Sequence, residues 1–236
     1  NEAEVAAAIR EKLTGSPFAE APIVPTSVVT GRGLEELKSA LARVLADTPP
    51  PCDIGKPRLP VDRVFTLHGI GTVVPGTLTG GTLRRGQAVV IQPSGKATRV
   101  RSLQDHNQDV EASPAGTRTA INLPDVGARG ADANEGVARG DVVTLAELGG
   151  ASDAFDVLLE KSARLIDSKA SAARPLKDGT LVRVHLGSGN WPARVALLDQ
   201  KQIEAGQRAL AQLRSEVPVF AFAGDRFIVR DWAEQA

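Results

Sequence analysis

LPVDRVFTLHGIGTVVPGTLTGG, the run from Leu59 to Gly81, writes two short strands and two glycine hinges in succession. Val61, Val64, Phe65 and Leu67 are β-branched, aromatic or apolar strand formers. Gly69 and Gly71 bracket Ile70, and strand character resumes from Thr72 to Thr79, interrupted by Pro75-Gly76 and ended by Gly80-Gly81. The pattern predicts a hairpin whose glycines permit a tight turn and a kink in the return strand. It reads as the entry into a small antiparallel barrel.

Composition supports many short strands. The 236 residues suffice for two domains with their own cores, and 23 Gly with 15 Pro imply frequent turns. Aromatic residues are few, so the core is expected to be Val, Leu, Ile and Ala. Twenty-eight basic residues balance 28 acidic ones, which argues against nucleic-acid binding through a uniform positive field and leaves only local RNA contacts. The single cysteine, Cys52, can form neither an internal disulfide nor a thiolate zinc cluster, in keeping with a reducing cytoplasm. Without a long apolar run or a basic-then-apolar leader, neither a membrane span nor a signal peptide is expected. The absence of any Met suggests a fragment of a longer chain.

Working outward, Val5, Ala6, Ile9 and Leu13 recur at helical spacing with Gly15 as a stop. Ala21 to Pro25 is expected to be a short strand, Ser27 to Gly33 a loop, and Leu34, Leu37, Leu41, Val44 and Leu45 the apolar stripe of a second helix. A unit this small has too little sheet to bury both stripes. Five prolines between Pro49 and Pro60 predict a semi-rigid connector. The domain expectation is therefore residues 1–48, a linker at 49–58, one β-barrel at 59–148 and another at 149–236. In the last, strands are expected at Phe155 to Leu159, Val182 to Leu186, Ala193 to Leu198, Arg208 to Leu213 and Val217 to Phe222, with a turn at Gln200 to Ala205.

The order of residues in the opening stretch resembles the second domain of translation GTPases of the elongation factor Tu type. Its lead, Leu59 to Phe65, is similar to selenocysteine-specific elongation factors. The blocks Leu83 to Gln87, Ala97 to Gln104, Ala115 to Leu123 and Ala138 to Val143 follow in the same order, and Val182 to Ser188 and Gly224 to Asp231 extend the likeness into the last domain. The resemblance implies a mainly β fold, two consecutive antiparallel β-barrels preceded by an α/β remnant of a GTPase domain. It also implies a function: delivery of selenocysteyl-tRNA to the ribosome, with GTP and Mg bound by the intact factor. A C-terminal region beyond Trp232 would recognise the mRNA selenocysteine-insertion element. The segment Thr26 to Leu34 resembles the last guanine-recognition loop, which places Ser27 and Val28 near the guanine, with Val28 where the family has Ala. Neither the phosphate-wrapping G-x-x-x-x-G-K-[ST] nor the guanine-reading Asn-Lys-x-Asp occurs, so this chain is expected to hold no nucleotide cofactor and to be no enzyme by itself.

The same resemblance assigns Asp62, Arg63 and Arg118 to the pocket for the esterified amino acid. The chemistry fits, because a selenolate is anionic at neutral pH whereas a serine ester side chain is neutral, so guanidinium groups favour the former and Asp62 can accept from the α-amino group. Neighbouring strand residues face opposite ways, so Asp62 and Arg63 share a pocket only where the strand bends. His68, a candidate tRNA contact, stands where relatives carry Lys or Arg, and Pro75 where they carry Thr, removing one ladder donor. In the last domain Arg183, His185 and Arg226 are candidate tRNA contacts, with Arg194 and Arg230 nearby in sequence. As bare residues, each of these also fits an ordinary solvated or capping role. His68, His106 and His185 are too far apart for a metal motif, and Ser188 lacks a nucleophile-elbow pattern, so neither a metal site nor catalysis is expected. Three other readings stay open: a general translation GTPase, a stand-alone interaction module and a barrel enzyme with a small cofactor.

Overall fold

The computed structural model describes residues 1–67, 69–130, 136–163 and 174–232. It divides into two units, Asn1–Pro50 and Pro51–Ala236.

The first unit holds α1 (Glu2–Leu13) and α2 (Leu34–Asp47). Asn1 caps α1 by accepting from Ala3 N at 3.3 Å, and acidic Glu2 and Glu4 with basic Arg10 and Lys12 complement its dipole. Ala40 is the one buried residue of α2; in its apolar stripe Leu34 and Leu37 are half-buried, while Leu41, Val44 and Leu45 are exposed, Leu45 at 70%. The expected strand at Ala21 to Pro25 does not form: those residues are irregular. An isolated extended segment has no neighbour to accept its ladder bonds, so β-favouring residues alone do not make a strand there.

The second unit is mainly β. Its first half contains β1 (Arg58–Pro60), β2 (Phe65–Leu67), β3 (Gly71–Thr77), β4 (Leu83–Arg84), β5 (Ala88–Gln92) and β6 (Lys96–Arg99). These are followed by β7 (Ser102–Asp105), β8 (Gln108–Val110), β9 (Ala112–Ser113), β10 (Arg118–Leu123) and β11 (Val142–Thr144). The second half contains β12 (Ser152–Glu160), β13 (Leu176–Lys177), β14 (Leu181–Leu186), β15 (Gly189–Leu197), β16 (Gln202–Ile203), β17 (Arg208–Val219) and β18 (Ile228–Asp231). Pairing between strands is antiparallel, in sheets of order β1-β11-β5-β6, β2-β3-β10-β7-β8 and β12-β17-β15-β14-β18, with short pairs β4-β9 and β13-β16.

The opening stretch forms the β2–β3 hairpin that its glycines predict, with Ile70 N donating to Leu67 O across the turn. Its first strand is split, however. Residues 58–60 pair with β11, Val61 bridges to Gly76, residues 62–64 leave the ladder, and 65–67 rejoin it against β3. Pro75 explains the gap. Its carbonyl accepts from Asp62 N at 2.9 Å, so its missing N–H also lies on the side of residues 62–64. The β3–β10 ladder on the other side runs unbroken from Thr72 to Thr77.

Two other expectations change. Arg208 to Val219 is one strand of 12 residues, not two, and 220–222 lie outside it. The expected turn at 200–205 contains β16, which pairs with β13.

Two cores lie in this unit. Leu59, Val74, Ile91, Ile121 and Val143 belong to the first, and Val182, Val184, Val195, Ala211 and Leu213 to the second. Burial of aliphatic side chains at alternate positions supplies the main stabilisation of each, about 1.5–3 kcal/mol per fully buried Val, Leu or Ile. The contacts between the halves include Arg139 Nε donating to Ser188 O at 3.4 Å, the Pro60 ring against Gly187, and two further joints. At one, Arg58 Nη1 donates to Asp225 Oδ2 at 2.6 Å, with the guanidinium carbon 4.3 Å from the centre of the Phe222 ring. At the other, Gly140 and Gly189 come so close that a Cβ added to either would lie 3.1–3.2 Å from the other's backbone. Gly140 also has φ +95°, a conformation that side chains disfavour.

Candidate functional site

Alternation along β3 and β10 decides what faces outward. Thr72, Val74, Thr119 and Ile121 point into the first core. Their neighbours Val73, Pro75, Arg118 and Ala120 therefore share the other face, with Phe65 of β2 opposite Val73. Asp62, held beside Pro75 by its backbone bond, accepts from Arg118 Nη1 in an ion pair that spans the sheet edge. The Arg118 side chain is 54% exposed and that of Asp62 35%. Arg63 is exposed and has no ion-pair partner among the described residues. Because residues 62–64 leave the ladder, strict strand alternation no longer separates Asp62 from Arg63. The Asp62–Arg118 pair lies beside Phe65, Val73 and Pro75, and Arg63 follows Asp62 in the chain with no contact joining it to the pair among the described residues. His68 lies outside the described residues.

The outer face of the second-half sheet is set by the same rule. Val182 and Val184 are buried, so Arg183 and His185 face out, where Arg230 lies opposite Arg183 and Arg214 opposite Arg194. Arg183 donates to Asn190 Oδ1 at 2.7 Å and stacks over Trp232 at 4.7 Å. Arg194 donates to Gly179 O at 2.9 Å. His185 has a lowered pKa, first through burial and then through Arg230 and Arg183, and its Nε2 is buried without a hydrogen-bond partner. Arg226 is exposed and lines a cavity of about 770 Å³ between the halves, together with Arg58, Arg139, Asp141, Ser188 and Trp191. Asp141 in that wall accepts from Arg129 at 2.6 Å and from Ala138 N at 2.9 Å. Desolvation nevertheless raises its pKa.

In the first unit, Ser27 is fixed by backbone bonds, its N–H to Arg32 O and its carbonyl from Gly31 N, both at 2.9 Å. Val28 is 88% exposed and touches no core. Sequence reasoning missed Arg214 and Trp232, which join the arginine face only once the register is known. It also missed the Arg58–Asp225 joint, which spans 167 positions of sequence. Among the described residues no group of three His, Cys, Asp or Glu could hold a metal ion, and no helix is long and apolar enough to cross a membrane.

The described strands form two antiparallel β units in tandem, a mainly β arrangement consistent with the β-barrel domains of translation elongation factors. Residues 163–236 match the family model of the selenocysteine-specific elongation factor beta-barrel domain. The chain is 39% identical over 225 residues to the selenocysteine-specific elongation factor of Desulfomicrobium baculatum, covering 95% of this chain and 33% of that protein. It is 29% identical over 231 residues to that of Escherichia coli, covering 97% and 33%. A crystal structure of a bacterial selenocysteine-specific elongation factor superposes with TM-score 0.74 at 27% identity, covering 98% of this chain and 34% of that one. The apo elongation factor SelB of Methanococcus maripaludis shares the fold with TM-score 0.79 at 22% identity, covering 96% and 50%. The chain belongs to the selenocysteine-specific elongation factor family, and it spans about a third of the length of the curated relatives it matches.

Proposed function

We propose that this chain is the aminoacyl-tRNA-binding part of a factor that delivers selenocysteyl-tRNA to the ribosome in a GTP-dependent way. The observation that supports the reading is the ion pair of Asp62 with Arg118 beside Phe65, Val73 and Pro75, with exposed Arg63 next to Asp62 in the chain. Charge-assisted contacts from guanidiniums favour an anionic side chain over a neutral one of similar size. Asp62 accepts from the α-amino group, which fixes the direction in which the ester enters. Phe65, Val73 and Pro75 exclude water on one side and so strengthen those contacts. On the second sheet, Arg183, Arg194, Arg214 and Arg230 offer phosphate contacts along an RNA backbone, with Arg226 at the cavity mouth, and His185 supplies shape rather than charge.

In the intact factor, GTP and Mg belong to the GTPase portion, for which Ser27 and Val28 form part of the guanine loop. Recognition of the mRNA element belongs to a C-terminal region, and the workplace is the cytoplasm. The test is GTP-dependent protection of selenocysteyl-tRNA and seryl-tRNA esters from hydrolysis by the intact factor. Selective protection of the selenocysteyl ester supports the reading. Equal protection points to a general elongation factor, a reading kept in view by 34% identity over 143 residues to elongation factor 1-alpha of Pyrobaculum islandicum.

A further inference from the structure

The cavity between the two β halves carries more positive charge than its own ion pairs neutralise. Its wall, around about 770 Å³, holds four arginines and two aspartates, with no lysine, histidine or glutamate among the described lining residues. Each aspartate is committed: Asp225 accepts from Arg58 and Asp141 from Arg129, both at 2.6 Å. Arg139 of the first half and Arg226 of the second are left over. Both are exposed, and neither has an ion-pair partner among the described residues. Arg139 Nε donates to Ser188 O at 3.4 Å, while its two terminal nitrogens have no partner among the described residues. Arg58 Nε, Arg129 Nε, Ser188 Oγ and Trp191 Nε1, all on lining residues, are buried without a hydrogen-bond partner, and all can donate. A wall rich in donors and poor in free acceptors keeps a positive potential in the cavity even where a ligand does not touch those atoms.

We infer that this cavity binds a small phosphate monoester with a compact apolar body, clamped between Arg139 and Arg226. A monoester carries about two negative charges at neutral pH and presents three free oxygens, enough to receive two guanidinium forks. A carboxylate has two oxygens, which a single fork occupies. A phosphodiester of an RNA backbone has one charge and two free oxygens, so it too satisfies one fork and leaves the other open. For the body of the ligand, half-buried Pro60 and Trp191 and exposed Val217 supply apolar surface from both halves. A ligand held by one arginine from each half also ties the halves together. The site shares no residue with Asp62, Arg63 or Arg118, so it stands or falls independently of the aminoacyl reading.

The test uses this chain with Trp232→Phe, which leaves Trp191 as the sole tryptophan and makes it a fluorescence reporter in the cavity wall. Phenyl phosphate, inorganic phosphate, benzoate and dimethyl phosphate are titrated at neutral pH and fixed ionic strength, which holds screening constant. Calorimetry of the unsubstituted chain with phenyl phosphate checks the reporter. Phenyl phosphate is expected to bind at about 1 mM. Inorganic phosphate should bind about tenfold more weakly for want of the ring, and benzoate and dimethyl phosphate about tenfold more weakly for want of the second fork. Arg139→Gln and Arg226→Gln should each weaken phenyl phosphate about tenfold. Neither breaks an ion pair, and equal unfolding midpoints confirm that the fold is kept. No saturable signal with phenyl phosphate overturns the proposal, as does equal affinity for benzoate or dimethyl phosphate, or an unchanged affinity in both arginine variants. Displacement of phenyl phosphate by tRNA would assign the cavity to RNA instead and sink the free-ester reading.

Discussion

Replacing Asp225 by Ala tests whether the joint between the two halves holds them as one unit. Asp225 Oδ2 accepts from Arg58 Nη1 at 2.6 Å and from Phe222 N at 2.8 Å, so the variant loses a charge-assisted bond and the bond that closes its own turn. The side chains of Arg58 and Asp225 are 16% and 18% exposed, so water replaces these contacts poorly. The ion pair contributes about 1.5–3 kcal/mol and the turn-closing bond to the same oxygen about 1 kcal/mol more, giving an expected loss of about 2.5–4 kcal/mol. For a domain of this size each kcal/mol moves Tm by about 2–4 °C, so calorimetry should register a fall of about 5–16 °C. The Phe222 ring stays in place to cover Arg58, which separates this variant from Arg58→Ala. Combining Asp225→Ala with Arg58→Met should recover part of the loss, because removing both charges relieves the stranded cation. A loss below about 0.5 kcal/mol, or strict additivity of the two substitutions, would refute the reasoning.

Three further outcomes are expected. His185, whose pKa is lowered in the folded chain, binds fewer protons there than when unfolded, so stability is fully present above the unfolded pKa near 6.5 and declines as pH falls through the folded value; urea midpoints at pH 7.5 and 5.5 should converge in His185→Asn, and an unchanged pH difference removes His185 as its source. Arg183→Ala should lower the slope of log affinity against log salt for tRNA by about one, and an unaltered slope takes Arg183 off the RNA. Calorimetry of this chain with GTP should show no saturable heat at micromolar nucleotide, since no phosphate-wrapping motif occurs in it; a saturable isotherm would overturn that account.

Local chemistry was legible in the sequence wherever one segment decides its own conformation. Gly69 and Gly71 announced the β2–β3 hairpin, and helical spacing announced α1 and α2. Errors arose where partners decide. Ala21 to Pro25 has strand-forming residues and no neighbour to pair with. Arg214 to Glu216 looks like a break, because it is a polar run between two apolar stretches, yet β17 runs through it. The charged edge divided in the same way. Family resemblance brought out Asp62, Arg63 and Arg118, although nothing local to Asp62 points 56 residues ahead to Arg118. The arginine face was visible residue by residue, but its second row, Arg194 beside Arg214, exists only through the β15–β17 register.

The contact between Gly140 and Gly189 has a mechanical meaning. Main chain meets main chain there, flanked by the Pro60 ring against Gly187 and by the Arg139 side chain on Ser188 O. It can serve as a pivot that these two contacts brace. Further resistance to turning comes from the Arg58–Asp225 joint, placed to act as the strut. Side-chain chemistry at one residue pair would thereby govern an angle, and with it the distance between a charged edge and an arginine face that lie on separate sheets.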